Sequence, residues 1–471
     1  MKPAFASPAL LATLLLGACT AGPDFGPPPD PGIKSYLNGG DQKMARPEKP
    51  VEDKWWRAFK STDLDQMIDH ALVENQDIAV LTARLDSARA QVDIASSGLM
   101  PTVSVDANIA RQQYGASLFG PSNFSIPPFT YYQVGPRVSY VIDLAGGEHR
   151  AIERQQALGT FQSLQRDGAA MALTGQIVMQ TVTAATARSE IEIAENLIRL
   201  DDRIIALSAK RLQIGVGTRP ERLSDERLRV DDETLLPRSQ KKVEAADHAL
   251  ALLLGRAPAQ WSAPRIRLGD LSLPGDLPYI LPSTLAQHRP DIKAAQAMLQ
   301  AANAQLGIAE AAFYPSLKLS AGLNQEVLSP ESFFQPGSTA WNLLSGLTVP
   351  IFDGGRLNAQ RRVAEADYRA ELAQYRQTLL RAFTQIADIL SALEQDDRTI
   401  LAQQHAVDEA TASLKLARTA QKAGADDLLG VLRAERNLLQ ASLGLTQATG
   451  QKYLDVAQLF AALGGNVPGP V

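Results

Sequence analysis

The chain has 471 residues, with 46 Lys and Arg against 51 Asp and Glu and a formal net charge of -5. That balance gives no basic footprint for nucleic acid, and Cys19, the one cysteine, excludes an intramolecular disulfide and any cysteine-cluster metal site. The five histidines (His70, His149, His248, His288, His405) are scattered and no HExxH, GxSxG or phosphate-loop pattern occurs, so no enzyme, cofactor or metal is expected.

Residues 1–18 carry a lone positive charge at Lys2, an apolar stretch from Leu10 to Leu16, and Leu16-Gly17-Ala18 immediately before Cys19. This is the pattern of a lipoprotein signal peptide, and Cys19 is expected to become the acylated N-terminus. Thr20, rather than Asp, follows it, which in lipoproteins of Gram-negative bacteria favours the outer membrane. Residues 19–54, with Pro27-Pro28-Pro29 near the centre, read as an extended tether. No later run of about 20 apolar residues follows, so a membrane crossing must use strands.

The body opens at Trp55-Trp56 with a first repeat expected over 55–255. An amphipathic run from Leu64 to Leu99 stops at Met100-Pro101. The pattern then changes to period two: Val103, Val105, Ala107 and Ile109 on one face, Thr102, Ser104, Asp106 and Asn108 on the other, a strand over about 102–110. A second strand, about 132–143, sets Tyr132, Val134, Val138, Tyr140 and Ile142 against Gln133, Arg137, Ser139 and Asp143. Gly146-Gly147 leads into a long helical run, Gly215-Val216-Gly217-Thr218 makes a turn, and helix returns from Arg222 towards Gly255 with a kink or break expected at Pro237.

A Pro-rich connector, 256–282, precedes a second repeat over 283–465, and 466–471 form a tail. Asp77 to Pro101 reappears as Asp291 to Pro315, with identities at Asp77, Ile78, Ala83, Leu85, Ala88, Ala90, Gln91, Ile94, Ala95 and Pro101. Strands are expected at about 316–325 and 341–351, with Leu344 the weak point in the alternation of the last. Arg356 to Ala423 then runs without Gly or Pro, a turn falls at Gly424-Ala425-Asp426, and helix returns to Leu463-Gly464. Helices of that length cannot bury themselves in a compact core and must pack in an extended bundle. The cluster His288-Arg289-Pro290-Asp291 reads as a helix start, Pro in the first turn and Asp on the positive dipole.

Each half is therefore a strand pair plus a long helical hairpin. Four strands fall short of the eight or more in known closed single-chain barrels, and an open edge cannot face lipid, so a homo-oligomer must close the barrel. A small soluble sheet covering a helix is the alternative that alternation leaves open.

Taken in order, Leu16-Gly17-Ala18-Cys19, Gly22-Pro23-Asp24-Phe25, Trp55-Trp56, Arg289-Pro290-Asp291-Ile292, Phe313-Tyr314-Pro315, Pro350-Ile351-Phe352-Asp353-Gly354-Gly355 and Ala462-Leu463-Gly464-Gly465 resemble the outer membrane efflux protein family, the TolC-like and NodT-type exit ducts of tripartite pumps. The resemblance implies a homotrimer with a 12-stranded outer-membrane barrel and a periplasmic helical tunnel. It also implies a periplasmic adaptor at the helical tips, here Gly215, Val216, Gly217, Thr218 and Gly424, Ala425, Asp426, Asp427, and an inner-membrane transporter behind the adaptor. Members often carry Asp on the return helix after the second tip, forming a gate. The matching positions here are Gly430 and Arg433, with Arg436 one turn on, so Arg replaces acid and reverses the local charge, unless Asp426 and Asp427 supply it. A protein-secretion duct shares this architecture, and a non-conducting coiled-coil lipoprotein is the reading from a different class.

Overall fold

The computed structural model describes residues 20–29, 32–33, 35–37, 51, 53–115, 127–275, 277–280, 282–285 and 288–464. The expected signal peptide, Cys19, much of the expected tether and the 466–471 tail lie outside the described residues. Two compact units result, each assembled from both repeats. One comprises Met1–Pro28, Arg84–Gln162 and Ala295–Tyr375, the other Pro29–Ala83, Ser163–Ala294 and Arg376–Val471.

The element order is α1 (Thr62–Glu74), α2 (Gln76–Ser97), β1 (Thr102–Gln112), β2 (Phe129–Ile142), α3 (Gly147–Gln213), α4 (Arg219–Glu233), α5 (Leu235–Leu253), α6 (Pro282–Leu285), α7 (Pro290–Ala311), β3 (Ser316–Val327), β4 (Thr339–Thr348), α8 (Arg356–Lys422) and α9 (Leu428–Ala462). Among the described residues no helix is long and apolar enough to cross a membrane.

The first unit contains a four-stranded antiparallel sheet in the order β1-β2-β3-β4. Its register builds two faces of opposite character. Val103 stands opposite Val138, Ile109 opposite Tyr132, Tyr140 opposite Leu319, Ala321 opposite Leu343 and Leu323 opposite Trp341. On the other face Arg137 pairs with Asp106 at 3.2 Å and Gln133 donates to Glu326 at 3.3 Å. Val103, Val105, Ile109, Trp341 and Leu343 are 69–77% exposed in the single chain, so its own helices do not cover the apolar face. That removes the soluble-sheet alternative. Strands of 10 to 14 residues are long enough to cross a bilayer when tilted.

Several boundaries differ from expectation; β2, for one, starts at Phe129 rather than near Tyr132. β4 ends at Thr348 rather than near Ile351, because Pro350 has no N–H to continue a ladder. The run Leu64 to Leu99 is two helices. Asn75 is extended between them, its Oδ1 accepting from the N–H groups of Asp77 and Ile78 while its Nδ2 donates to the Leu253 carbonyl at 2.9 Å. The first return helix starts at Arg219, not Arg222, and breaks at Thr234, one turn before Pro237.

In the second unit Trp55 stacks on Phe460, centroids 5.1 Å apart and rings 8° from parallel, and the Tyr453 hydroxyl donates to the Leu271 carbonyl at 2.9 Å. Buried Arg289 grips the Asp291 carboxylate with two N–H groups and donates Nη1 to the Ala462 carbonyl at 2.7 Å. A cation at the C-terminus of α9 satisfies a carbonyl that the helix leaves unpaired, so this cluster is structural.

Candidate functional site at the helical tips

Both hairpin tips lie in the second unit and repeat one design. α3 and α8 end in glycines of left-handed conformation, Gly215 (φ 79°) and Gly424 (φ 74°). The Val216 and Ala425 N–H groups close the turns onto the carbonyls of Arg211 and Ala420. The return helices then start on equivalent caps. Thr218 and Glu221 form a reciprocal capping box, and the Thr218 hydrogen bonds hold the Glu221 carboxyl below its ordinary pKa. Asp427 Oδ1 accepts from the Gly430 N–H at 3.0 Å, so Gly430 belongs to the cap. Arg211 ion-pairs with Asp427 and ties the two tips together. Ile214 and Val216 remain exposed beside them.

One face of α9 carries Leu429, Leu432, Arg433 and Arg436 at helical spacing. Leu429 and Leu432 pack with Leu200 and Ile204 of α3, while Val431 and Ala434, round the helix, pack with Leu414 of α8. The two arginines meet acid. Arg433 donates Nη2 to Asp225 Oδ1 of α4 at 3.2 Å. Arg436 donates Nε to Asp201 Oδ1 of α3 at 2.9 Å and ion-pairs with Asp232 of α4. Asp201, Asp225 and Asp232 are all buried, and Arg436 is nearly so, its side chain 13% exposed. Higher on α3, buried Glu190 accepts from Ser239 and Lys242 of α5 and from Gln447 of α9.

The three aspartates were missed by sequence reasoning. Their signal was available: Asp225 and Asp232 stand seven residues apart, two turns along one face of α4, and Glu190 and Asp201 stand three turns apart on α3. Arg433 and Arg436 are thus compensated cations, and the reversal of charge expected at these positions is met by acid from α3 and α4.

Burial pushes the Asp201 carboxyl up to about 6; Arg436 opposes this, and the neighbouring Asp232 reinforces it. Among the described residues Asp201 Oδ2 has no hydrogen-bond partner, and two carboxylates facing one guanidinium leave one negative charge in excess. A folded-state pKa above the ordinary 3.8 means that the stabilisation is complete below about pH 4 and is lost as pH rises through about 6. The folded arrangement that buries Asp201 is therefore favoured more at pH 5, where its desolvation cost is relieved, than at pH 7.5. Hydrogen exchange of α4 amides, corrected for intrinsic rates, is expected to be slower at pH 5, and Asp201→Asn is expected to abolish that difference.

The family model described as outer membrane efflux protein matches residues 67–256 and 281–465. The chain belongs to the outer membrane efflux protein family. It is 29% identical to the outer membrane protein OprJ of Pseudomonas aeruginosa over 98% of this chain and 96% of that one. It is 26% identical to the probable outer membrane lipoprotein SilC of Salmonella typhimurium, over 96% of each. The solved structure of the outer-membrane channel OprN superposes with a TM-score of 0.84 at 25% identity, covering 95% of this chain and 99% of that one. The four-stranded sheet and long hairpins are the barrel segment and tunnel segment of this family, and the chain is an outer membrane channel of an efflux system.

Proposed function

We propose that three copies close a 12-stranded barrel by pairing β1 of one copy with β4 of the next, and that their hairpins form a periplasmic duct gated by the ties between α9 and α3/α4. In this reading the duct is passive. An inner-membrane transporter supplies the energy and a periplasmic adaptor engages the tips from Gly215 to Thr218 and from Gly424 to Asp427. Small molecules delivered there leave through the barrel, and acylation of Cys19 anchors each copy to the outer membrane. The sheet supports the trimer, since among the described residues β1 and β4 each pair on one side only and an unpaired edge in lipid costs several kcal/mol per backbone group.

The observation that carries the gate is that Arg433 and Arg436 span from the first turns of the second return helix to α3 and α4 of the first hairpin. Rotating or withdrawing α9 must break these pairs, and an adaptor that binds the withdrawn state more tightly shifts the population towards it. Arg433→Asp tests this. Facing Asp225 with a second carboxylate removes a charged hydrogen bond and adds repulsion, worth about 1–3 kcal/mol of local opening. Single-channel conductance and cation selectivity are expected to rise in purified protein that still assembles. Unchanged conductance and reversal potential would remove Arg433 from the gate.

A further inference from the structure

The residues that follow Cys19 are held in the first unit. Ala21 donates its N–H to the Ala145 carbonyl at 2.7 Å, in the turn between β2 and α3. Buried Arg150, in the first turn of α3, donates Nε to the Ala21 carbonyl at 3.1 Å, and Nη2 to the Gly22 carbonyl at 3.2 Å and to Asp24 Oδ1 at 2.8 Å. From α7, buried Asn303 donates Nδ2 to the Pro23 carbonyl at 2.8 Å. Gly22 has a φ of 83° and passes so close to α7 that a Cβ on it would stand 2.6 Å from Gly307 Cα. Three consecutive carbonyls, 21 to 23, are each taken by a buried side-chain donor.

Arg150 is misplaced for a helix alone. A cation in the first turn opposes the helix dipole, and burying it adds a desolvation cost. Burial works to lower the guanidinium's pKa, yet hydrogen bonds to Glu153 and Asp24 hold it above its ordinary value. Part of that compensation comes from the segment itself.

The segment also has a defined level. A Cβ added to Gly146 would meet Thr20 Cα at 2.9 Å, and β2 ends four residues earlier at Ile142. Around the strand–helix junctions Leu144, Tyr314, Ile351 and Phe352 are exposed, Phe352 at 91%, as side chains at a bilayer interface are.

We propose that Arg150, Asn303 and Gly307 form a dock for the lipidated N-terminal segment, and that this dock sets the level at which the acyl chains enter the bilayer, beside Gly146 at the β2–α3 junction. The proposal rests on the reading of Cys19 as acylated. Thr20, seated on Gly146, is the residue that follows Cys19 in the chain, so the anchor is one peptide bond from a residue fixed at the β2–α3 junction. The lipid then holds the barrel at a fixed depth, where an unrestrained tether would let it float.

The test uses the full-length, lipidated protein with a spin label at Gly26→Cys, a position with no neighbour within 4 Å. Acylation consumes the Cys19 thiol, so the label has one site. Slow label motion is expected in this protein, with a several-fold shorter correlation time in Arg150→Ala and in Asn303→Leu, which keeps the shape of the side chain and removes the donor. In proteoliposomes, a fluorophore at Leu144→Cys is expected to be quenched more by lipids brominated near the headgroup than by lipids brominated at the chain end. Fast motion in the parent, equal motion in all three proteins, or no quenching at residue 144 would overturn the dock. An intact mass without acyl groups would instead overturn the lipid reading on which the dock rests.

Discussion

Replacing Arg436 with alanine is expected to release the first turns of α9 from α3 and α4. Among the described residues Arg436 is the one cation paired with Asp201 and Asp232, which lie on two different helices and are both buried. Removing one partner from a buried ionic cluster leaves uncompensated charge and costs about 3–5 kcal/mol. Amide exchange in α4 and at the start of α9 is expected to accelerate by roughly two to three orders of magnitude, each factor of ten being about 1.4 kcal/mol. Arg436→Lys should recover only part, because a single ammonium does not present the planar fork that serves two carboxylates. Combining Arg436→Ala with Asp201→Asn and Asp232→Asn should recover more, since the loss stems from stranded charge. Exchange unchanged in Arg436→Ala would mean that the cluster does not hold these helices.

The second large effect is expected in the sheet. Leu343 sits mid-strand in β4 on the apolar face, opposite Ala321, while its neighbour Asn342 points to the polar face opposite Gly322. An arginine facing lipid at mid-depth costs about 2–4 kcal/mol, and a trimer incurs it three times. Leu343→Arg should therefore abolish the trimer band expected of the parent protein in unheated gel electrophoresis of outer-membrane fractions. Asn342→Arg should retain it and alter conductance. Equal loss in both variants would contradict the assignment of faces.

What was legible in the sequence is what local periodicity encodes. Val103 to Ile109 and Leu317 to Leu323 alternate because one side meets lipid and the other water, and that pattern needs no knowledge of partners. The tip glycines and the caps after them are likewise local, and the equivalence of Thr218 and Asp427 follows from the repeat. The break at Asn75 has a local signal, the Asn cap ahead of Asp77 and Ile78, but it is fixed by a bond to Leu253, 178 residues away. The partners of Arg433 and Arg436 lie 204 to 235 residues away. The family resemblance puts those arginines at the expected gate positions, yet the compensating acid stands on another hairpin: the seven-residue spacing of Asp225 and Asp232 marks one face of α4 without naming what that face meets. The dock around Arg150 was invisible for the same reason: its partners at Ala21 to Asp24 lie 126 to 129 residues away.

The most direct measurement is planar-bilayer conductance of the purified protein, with the oligomer mass determined in the same preparation and Arg436→Ala recorded alongside. A trimer with small, flickering conductance that becomes larger and steadier in Arg436→Ala is the predicted result. A trimer whose conductance is already large and is unmoved by breaking the α9 ties would contradict the gate, and a non-conducting monomer would contradict the duct itself.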